Sequence, residues 1–325
     1  MPFYSDSLLL KNIALALTFS TYNFPSTLAD AGYTDAFVEY SLVMTTLTSI
    51  SYDFGAVAPE RNRSLVSEMK GGLYAQPQEQ ARFVKQLTAY SELTAEDLIN
   101  SGFRVAPGQS PGDHQHEVVI VGVDGEIHHL EPLVAAHQFQ PPMLAAIIDR
   151  SGSPNAMPTY GGLLVHRGTL RDSVLQGGLG PLNDTYPIPL PIPFDPASSD
   201  ADIAATILPA IVMRLLSAAQ ESHIVADDIL RDVIDVWSSL GPTEQESYRG
   251  RVNHLIRQAM AAREFKNAIN WDNRRRAWRL ESLPADPSKR QARRAQLQRS
   301  AQALVTRLTG PSIQEPFAID EMGTE

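Results

Sequence analysis

Residues 185–196, with the sequence TYPIPLPIPFDP, restrict the fold of this chain more than any other segment. Proline occupies every second position from Pro187 to Pro193, and proline lacks the backbone N–H that a helix or an interior strand needs. We therefore predict an extended arm of polyproline type that crosses a surface or links two lobes. This arm separates a longer first part of the chain from a second part with helical periodicity.

Helical periodicity dominates the first hundred residues. Residues 35–50 carry large apolar side chains at spacings of three and four, which predicts a helix, although their many threonines also allow a strand. A proline at position 59 and a Gly-Gly pair at 71–72 are typical of the start and the end of a second helix. Residues 81–90 predict a third, and Thr94 with Asp97 has the pattern of a capping box that begins a fourth.

The middle of the chain has a different pattern. Residues 117–123 and 126–130 flank an Asp-Gly pair, which favours a tight type I′ turn and predicts a β-hairpin. Residues 143–150 follow two prolines and predict a helix, and residues 162–166 predict another strand. We therefore expect β structure mainly in this middle region.

Four helices are predicted after the arm, over residues 200–215, 227–240, 242–262 and 288–308. The predicted fold class is α+β, mainly α, with helical N- and C-terminal regions around a smaller β-containing middle region. The predicted domain boundaries give a helical region at 1–103, the middle region at 104–196, a basic helical region at 197–310 and an acidic tail at 311–325.

Charge is unevenly distributed along the chain. The formal net charge is −10, yet residues 249–307 contain 15 Lys and Arg residues and only four acidic residues. Such a basic segment in an acidic protein indicates an acidic partner, of which nucleic acid is the commonest. The alternative is that the segment packs on acidic surface of its own subunit or of a neighbouring one.

Nine basic residues of this segment form the predicted nucleic-acid-binding site. They are Arg274, Arg275, Arg276, Arg279, Lys289, Arg290, Arg293, Arg294 and Arg299. The planar guanidinium group suits phosphate oxygens, and no motif for reading base sequence accompanies it, so we expect binding to the backbone. Trp271 and Trp278 lie seven residues apart, on one side of a predicted helix, where they either form a core seam or stack on unpaired bases.

Motifs for catalysis are weak or missing. The chain contains no cysteine, which excludes disulfides, zinc-thiolate sites and thiol catalysis, and it lacks the P-loop motif for phosphate binding. His114 and His116 lie at the entry to the predicted hairpin and His128 lies on its second strand. They are weak candidates for a zinc or manganese site, although a solvated polar face explains them as well. No cofactor is predicted.

The N-terminal residues do not have the pattern of a secretory signal. Asp6 precedes the apolar run, Lys11 and Asn12 interrupt it, and the uninterrupted stretch at 13–19 is too short to cross a bilayer. We predict a buried or partner-facing helix, in a protein that is neither secreted nor membrane-spanning.

Together these observations favour a non-enzymatic structural protein that assembles with copies of itself or with other capsid subunits. Its basic C-terminal helices are expected to contact nucleic acid, RNA in particular. A viral capsid, capsid-associated or nucleocapsid subunit fits best, located in the virion or the host cytoplasm. Two alternatives stay open: a metal-dependent enzyme that uses the His-rich hairpin, and a protein-only interaction module whose basic helices dock on acidic neighbours.

Overall fold

Two compact units make up the chain. The computed structural model describes residues 4–46, 49–71, 77–105, 110–151, 156–217, 222–261, 265, 268–281, 284 and 286–309. Unit 1 comprises Met1–Pro196 and Val233–Gly250, and unit 2 comprises Ala197–Asp232 and Arg251–Glu325. The proline-rich segment therefore ends where the first stretch of unit 1 ends.

Unit 1 is built on a seven-stranded mixed sheet whose strands lie in sequential order. Its elements are α1 (Asp6–Thr18), α2 (Thr27–Asp30), β1 (Asp35–Val43), β2 (Ser49–Ala58), β3 (Arg63–Lys70), α3 (Pro77–Glu92), α4 (Ala95–Asn100), β4 (Gln115–Val123), α5 (Glu131–Ala136), β5 (Met143–Asp149), β6 (Thr159–Arg167), α6 (Ser173–Gly178) and β7 (Gly180–Pro187). The three central strands, β3 to β5, are parallel, and every other neighbouring pair is antiparallel.

Helices cover both faces of this sheet. On one face α1 packs over β3 and β4, where Leu65 and Val119 line an apolar cavity together with side chains of α1. On the other face Val66 and Val118 belong to a core cluster that includes Tyr90 of α3. Neighbouring residues of one strand thus face different helices, and both are buried. Unit 1 is a three-layer arrangement of helices and sheet.

This sheet shows that the predicted fold class, mainly α, is wrong. Residues 35–50, for which we expect a helix although a strand is also allowed, instead form β1 and the start of β2, which pair antiparallel. Ala36, Val38 and Leu42 of β1 are buried, but Glu39 between them has a left-handed φ of 50°. This irregularity interrupts the two-residue alternation, so the apolar spacing in the sequence resembles that of a helix.

The helices predicted at 59–70 and at 143–150 are also wrong. A single 3₁₀ turn, Pro59–Arg61, ends at Asn62, whose φ is 51°, and β3 follows. The six interior residues of β3 are all buried, and the first four of β5 are as well. A strand that is buried on both faces has no alternation for the sequence to display.

The predicted β-hairpin is wrong in its second strand. Its first strand is β4, but Ile127–Leu130 forms a 3₁₀ helix that leads into α5. Gly125 takes a φ of 81° in the turn between them, and the chain then crosses over to place β5 parallel to β4. The Asp-Gly pair therefore begins a crossover connection. The strand predicted at 162–166 is confirmed as β6.

The proline-rich segment is fixed to unit 1 by a helix side chain. Its first residues complete β7, and residues 188–199 form neither helix nor strand. Ile192, which is 1% exposed, donates its N–H to Oδ1 of Asn12 at 2.8 Å and accepts from Nδ2 of Asn12 at 2.9 Å. Asn12 of α1 is itself fully buried, so its amide supplies the backbone pairing that a strand neighbour supplies elsewhere.

The prediction of a helix near the N-terminus is confirmed. Ser5 caps α1 by accepting a hydrogen bond from the N–H of Leu8 at 3.2 Å, and most residues of the helix are buried. Within the described residues, no helix combines the length and the apolar character needed to span a membrane.

The rest of the chain contains four helices and three short strands among its described residues. These elements are α7 (Asp200–Ser217), β8 (Ser222–Ile224), α8 (Ala226–Val233), α9 (Pro242–Ala261), β9 (Ile269–Asp272), β10 (Ala277–Leu280) and α10 (Pro287–Thr309). In unit 2 the strands form an antiparallel sheet in the order β8-β10-β9, and α10 packs against α7.

Three of the four helices predicted after the arm are confirmed as α7, α9 and α10. The helix predicted at 227–240 is shorter than expected, because α8 ends at Val233 and the 3₁₀ turn Trp237–Ser239 follows it. The predicted acidic tail at 311–325 lies outside the described residues.

Candidate functional site

Three of the predicted binding residues lie in the turn between β9 and β10. The carboxylate of Asp272 accepts hydrogen bonds from the N–H groups of Arg275 at 3.2 Å and Arg274 at 2.9 Å, and these bonds lower its pKa. Arg276, with a left-handed φ of 50°, completes the turn. The side chains of Arg274, Arg275 and Arg276 are all exposed, and the guanidinium group of Arg275 also donates a hydrogen bond to Nδ1 of His223 at 3.0 Å.

The two tryptophans flank this turn, but the prediction that they share a helix is wrong. Trp271 of β9 and Trp278 of β10 are direct cross-strand partners whose ring centroids lie 4.7 Å apart. Trp278 is 2% exposed and donates from Nε1 to Oδ1 of Asn253 at 2.9 Å, whereas Trp271 is 41% exposed. One ring therefore belongs to the core, and the other presents a flat apolar surface beside the arginine turn.

Helix α10 carries five more of the predicted residues, and Arg279 lies exposed on β10. The buried positions of α10 are Leu297, Ser300 and Leu304, spaced three and four apart, which is the spacing of a single packing seam. The basic residues lie off this seam. Four of them are exposed and Arg293 is partly buried; the exposed ones are Lys289, Arg290, Arg294 and Arg299.

Carboxylates of unit 2 neutralise part of this positive charge. Arg293 lies 3.8 Å from Glu281, and Arg251 lies 2.8 Å from Asp200. Four of the predicted arginines are exposed, have no carboxylate within ion-pairing distance and make no hydrogen bond to another side chain among the residues that the structure describes. We call them the open arginines: Arg274, Arg276, Arg294 and Arg299. Because a guanidinium group stays charged at neutral pH, each open arginine carries a full positive charge into solvent.

The structure does not bring the three candidate metal-binding histidines together. His114 is 5% exposed and is hydrogen-bonded through both ring nitrogens, to Oδ1 of Asn62 at 2.9 Å and to Oγ of Ser64 at 3.0 Å. His116 lies two residues further along, at the start of β4, and His128 lies beyond the end of that strand. Across the described ranges, no group of three or more His, Asp or Glu side chains is placed to hold a metal ion.

Unit 1 contains a cluster of buried ionisable side chains that sequence reasoning missed. Lys11 of α1 pairs with Glu39 of β1, and Lys70 of β3 pairs with Glu68. Glu68 is 1% exposed, burial raises the pKa of its carboxyl, and it accepts a hydrogen bond from the hydroxyl of Tyr90 at 2.6 Å. These contacts offset much of the cost of burying the charges, which favours a structural role for the cluster.

Glu244, in the first turn of α9, adds a further acid to this cluster. Burial and then the charge of Glu39 raise its pKa to about 7. Because this value is above that of the unfolded chain, the stability linked to protonated Glu244 is complete below pH 4.5 and is lost as the pH rises through about 7. Between pH 5 and pH 8, the wild-type protein should therefore lose about 2 kcal/mol of unfolding free energy that the Glu244→Gln variant keeps.

Urea unfolding of both proteins at the two pH values measures this difference. Glu246→Gln is the matched control, because that side chain is 77% exposed, and it should leave the pH dependence of stability unchanged. Identical pH dependence in wild type and Glu244→Gln would show that the folded protein does not raise the pKa of this carboxyl.

Comparisons of this chain with protein-family models, with curated proteins and with solved structures find no significant match. Its function is therefore inferred from its own residues. In unit 2 these are the open arginines and the exposed ring of Trp271.

Proposed function

We propose that this protein is a non-enzymatic structural protein that binds the nucleic-acid backbone, single-stranded RNA in particular, through unit 2. The contact surface is the turn between β9 and β10 together with the exposed side of α10. The four open arginines are the observation that carries the proposal. Their charge lies on the surface without a carboxylate partner among the described residues, and phosphate oxygens match the planar guanidinium group.

The exposed ring of Trp271 supports single-stranded nucleic acid as the partner. Trp271 is 41% exposed beside the arginine turn, and the contact of its apolar ring with water is unfavourable. An unpaired base can cover the ring by stacking on it. Bases in a duplex are already stacked on one another, so a duplex offers phosphates but no free base. We therefore expect tighter binding to single strands than to duplexes of equal length.

The proposal is tested by titrating the wild-type protein into a labelled 20-nucleotide RNA at several salt concentrations. If four arginines contact phosphates, the logarithm of the binding constant should fall against the logarithm of salt concentration with a slope of about −2.8. RNAs of unrelated sequence should bind with similar affinity, because the backbone carries no sequence information. No saturable binding at low salt, or a slope near zero, contradicts the proposal.

We also propose that copies of the chain assemble with RNA, as capsid or nucleocapsid subunits, in the virion or the host cytoplasm. The division of charge supports this, because the acidic part of one copy can attract the basic segment of another copy when both are bound to RNA. Size-exclusion chromatography with light scattering should show complexes that contain several copies when RNA is present. A complex of one chain per RNA contradicts the assembly and leaves RNA binding intact.

A further inference from the structure

A cavity of about 470 Å³ lies in unit 1, where β4 begins and β6 ends. Its wall combines polar and apolar side chains in similar numbers, so it can offer hydrogen bonds and a charge to one end of a small molecule and apolar contacts to the other. The apolar part is formed by Leu93, Val118, Phe139, Pro141 and Pro142. The polar part includes His116, Glu117, Thr169 and Arg171.

The loop that carries Arg171 is held in place by hydrogen bonds to its backbone. The two carboxylate oxygens of Glu117 accept from the N–H groups of Arg171 at 2.7 Å and Asp172 at 3.4 Å. The side-chain oxygen of Gln176 accepts from the N–H of Leu170 at 2.7 Å. Three consecutive N–H groups of this loop are therefore fixed by side chains, which holds the backbone on both sides of Arg171.

Asp172 anchors the same loop a second time. It caps α6 by accepting from the N–H groups of Val174 and Leu175, and it also receives the guanidinium of Arg61 at 2.5 Å and the hydroxyl of Tyr33 at 3.0 Å. The side chain is 1% exposed, and its pKa is lowered by the hydrogen bond from Arg61 despite its burial. The loop is thus built to a defined geometry before any ligand binds.

Gly168 allows the loop to close against the cavity wall. Its φ is 80°, a left-handed conformation that side chains disfavour, and a Cβ atom there would lie 3.2 Å from Cα of Pro142. Glycine therefore lets the chain turn away from β6 directly beside Pro142.

The guanidinium group of Arg171 is exposed and makes no hydrogen bond or ion pair with any residue that the structure describes, although its backbone is tightly held. Burial raises the pKa of Glu117 in the cavity wall, and the charge of Arg171 partly offsets that rise, so the guanidinium group lies within electrostatic range of this acid. The carboxylate oxygens of Glu117 accept from the two N–H groups and make no hydrogen bond to that guanidinium. Burial, together with the charge of Arg171, lowers the pKa of the neighbouring His116, which favours its neutral imidazole at pH 7, a form that can hydrogen-bond a polar atom.

We propose that this cavity binds a small organic oxyanion, whose carboxylate or phosphate pairs with Arg171 and whose apolar body packs on Phe139 and Leu93. The preorganised loop and a guanidinium group without a hydrogen-bond partner give the charge specificity, and the apolar part of the wall favours a ligand with a ring. The site is formed by residues of unit 1, whereas the proposed nucleic-acid interface is formed by residues of unit 2.

Isothermal titration calorimetry of the full chain with phenyl phosphate and, separately, with benzoate tests this proposal. At least one of them should bind saturably with a Kd of about 1 mM or tighter, while neutral benzamide should not bind. Arg171→Gln should weaken binding by about tenfold or more, because a charge-assisted hydrogen bond is lost. A preference between the two anions identifies which oxyanion the site takes.

Arg104→Gln is the matched control, since Arg104 is an exposed arginine of unit 1 outside the cavity, and it should leave the Kd unchanged. Because Arg171 is exposed, the variant should fold, and circular dichroism with thermal melting verifies this. Phe139→Ala supplies a second variant, with weaker binding of both ring-bearing anions. The proposal is overturned if neither anion binds at about 10 mM, or if Arg171→Gln binds as wild type does.

Discussion

Replacing all four open arginines with glutamine should weaken binding of single-stranded RNA by at least about 100-fold at about 100 mM salt. Each phosphate contact that is lost no longer releases a counterion, so each contributes about fivefold to affinity at this salt concentration. The slope of the salt dependence should become shallower by about 2.8 in the same variant. Fluorescence anisotropy with a labelled RNA measures both quantities.

The matched control removes the same charge from unit 1. Its four targets are exposed basic residues, namely Arg82, Lys85, Arg104 and Arg150. Glutamine at these positions should change RNA affinity by less than about threefold, because exposed charges that do not contact the RNA are screened by salt. Equal losses in both variants would show that net charge governs binding, and the surface on unit 2 would have no special role.

Asn12→Ala should lower the free energy of unfolding by about 3 kcal/mol, a large part of the stability of a typical domain. The substitution removes the hydrogen bonds that Asn12 makes to the N–H and the carbonyl of Ile192, and both groups are then buried without a partner. Each such group costs about 1 to 3 kcal/mol, and the higher helix propensity of alanine returns less than 1 kcal/mol. Urea unfolding followed by circular dichroism gives the value.

Asn100→Ala controls for the change in amino-acid type, because Asn100 is an exposed residue at the end of α4. It should alter the free energy of unfolding by less than about 0.5 kcal/mol. A small effect of Asn12→Ala would mean that the proline-rich segment is held to α1 by side-chain packing alone, against the hydrogen-bonded attachment described above.

Local rules predict the elements of this protein whose signals lie in neighbouring residues. The capping box of Thr94 and Asp97 is confirmed at the start of α4, with both reciprocal hydrogen bonds present. Helix α3 is confirmed as well; of the residues that predicted it, Leu87 and Tyr90 are buried, whereas Ala81 is exposed and Phe83 is buried in its place. Such signals depend on a few residues of one helix and not on the rest of the chain.

Strands buried in the middle of a sheet cannot be predicted in this way. Every interior residue of β3 is buried, and the burial comes from α1 on one face and α3 on the other, which both lie outside the strand's own residues. The parallel strands β3, β4 and β5 pair only after crossover connections, so no pattern of neighbouring residues predicts their pairing. Sequence reasoning therefore assigned too much helix to unit 1.

The candidate sites were also predicted only in part from the sequence. The positions of the basic residues are read directly from the sequence, but the turn that presents Arg274 to Arg276 depends on the pairing of Trp271 with Trp278 across two strands. In the cavity of unit 1, His116, Phe139 and Arg171 come from separate stretches of chain that only the sheet brings together. No spacing in the sequence links them.

The most direct test of the central claim is photo-crosslinking of 4-thiouridine-labelled RNA to the wild-type protein, followed by mapping of the cross-linked peptides by mass spectrometry. We predict cross-links within residues 269–281 and 287–309, with Trp271 and the open arginines on the labelled peptides, and their loss when salt is raised to about 1 M. Cross-links confined to unit 1, or none at low salt, would contradict RNA binding by the arginine-bearing surface of unit 2.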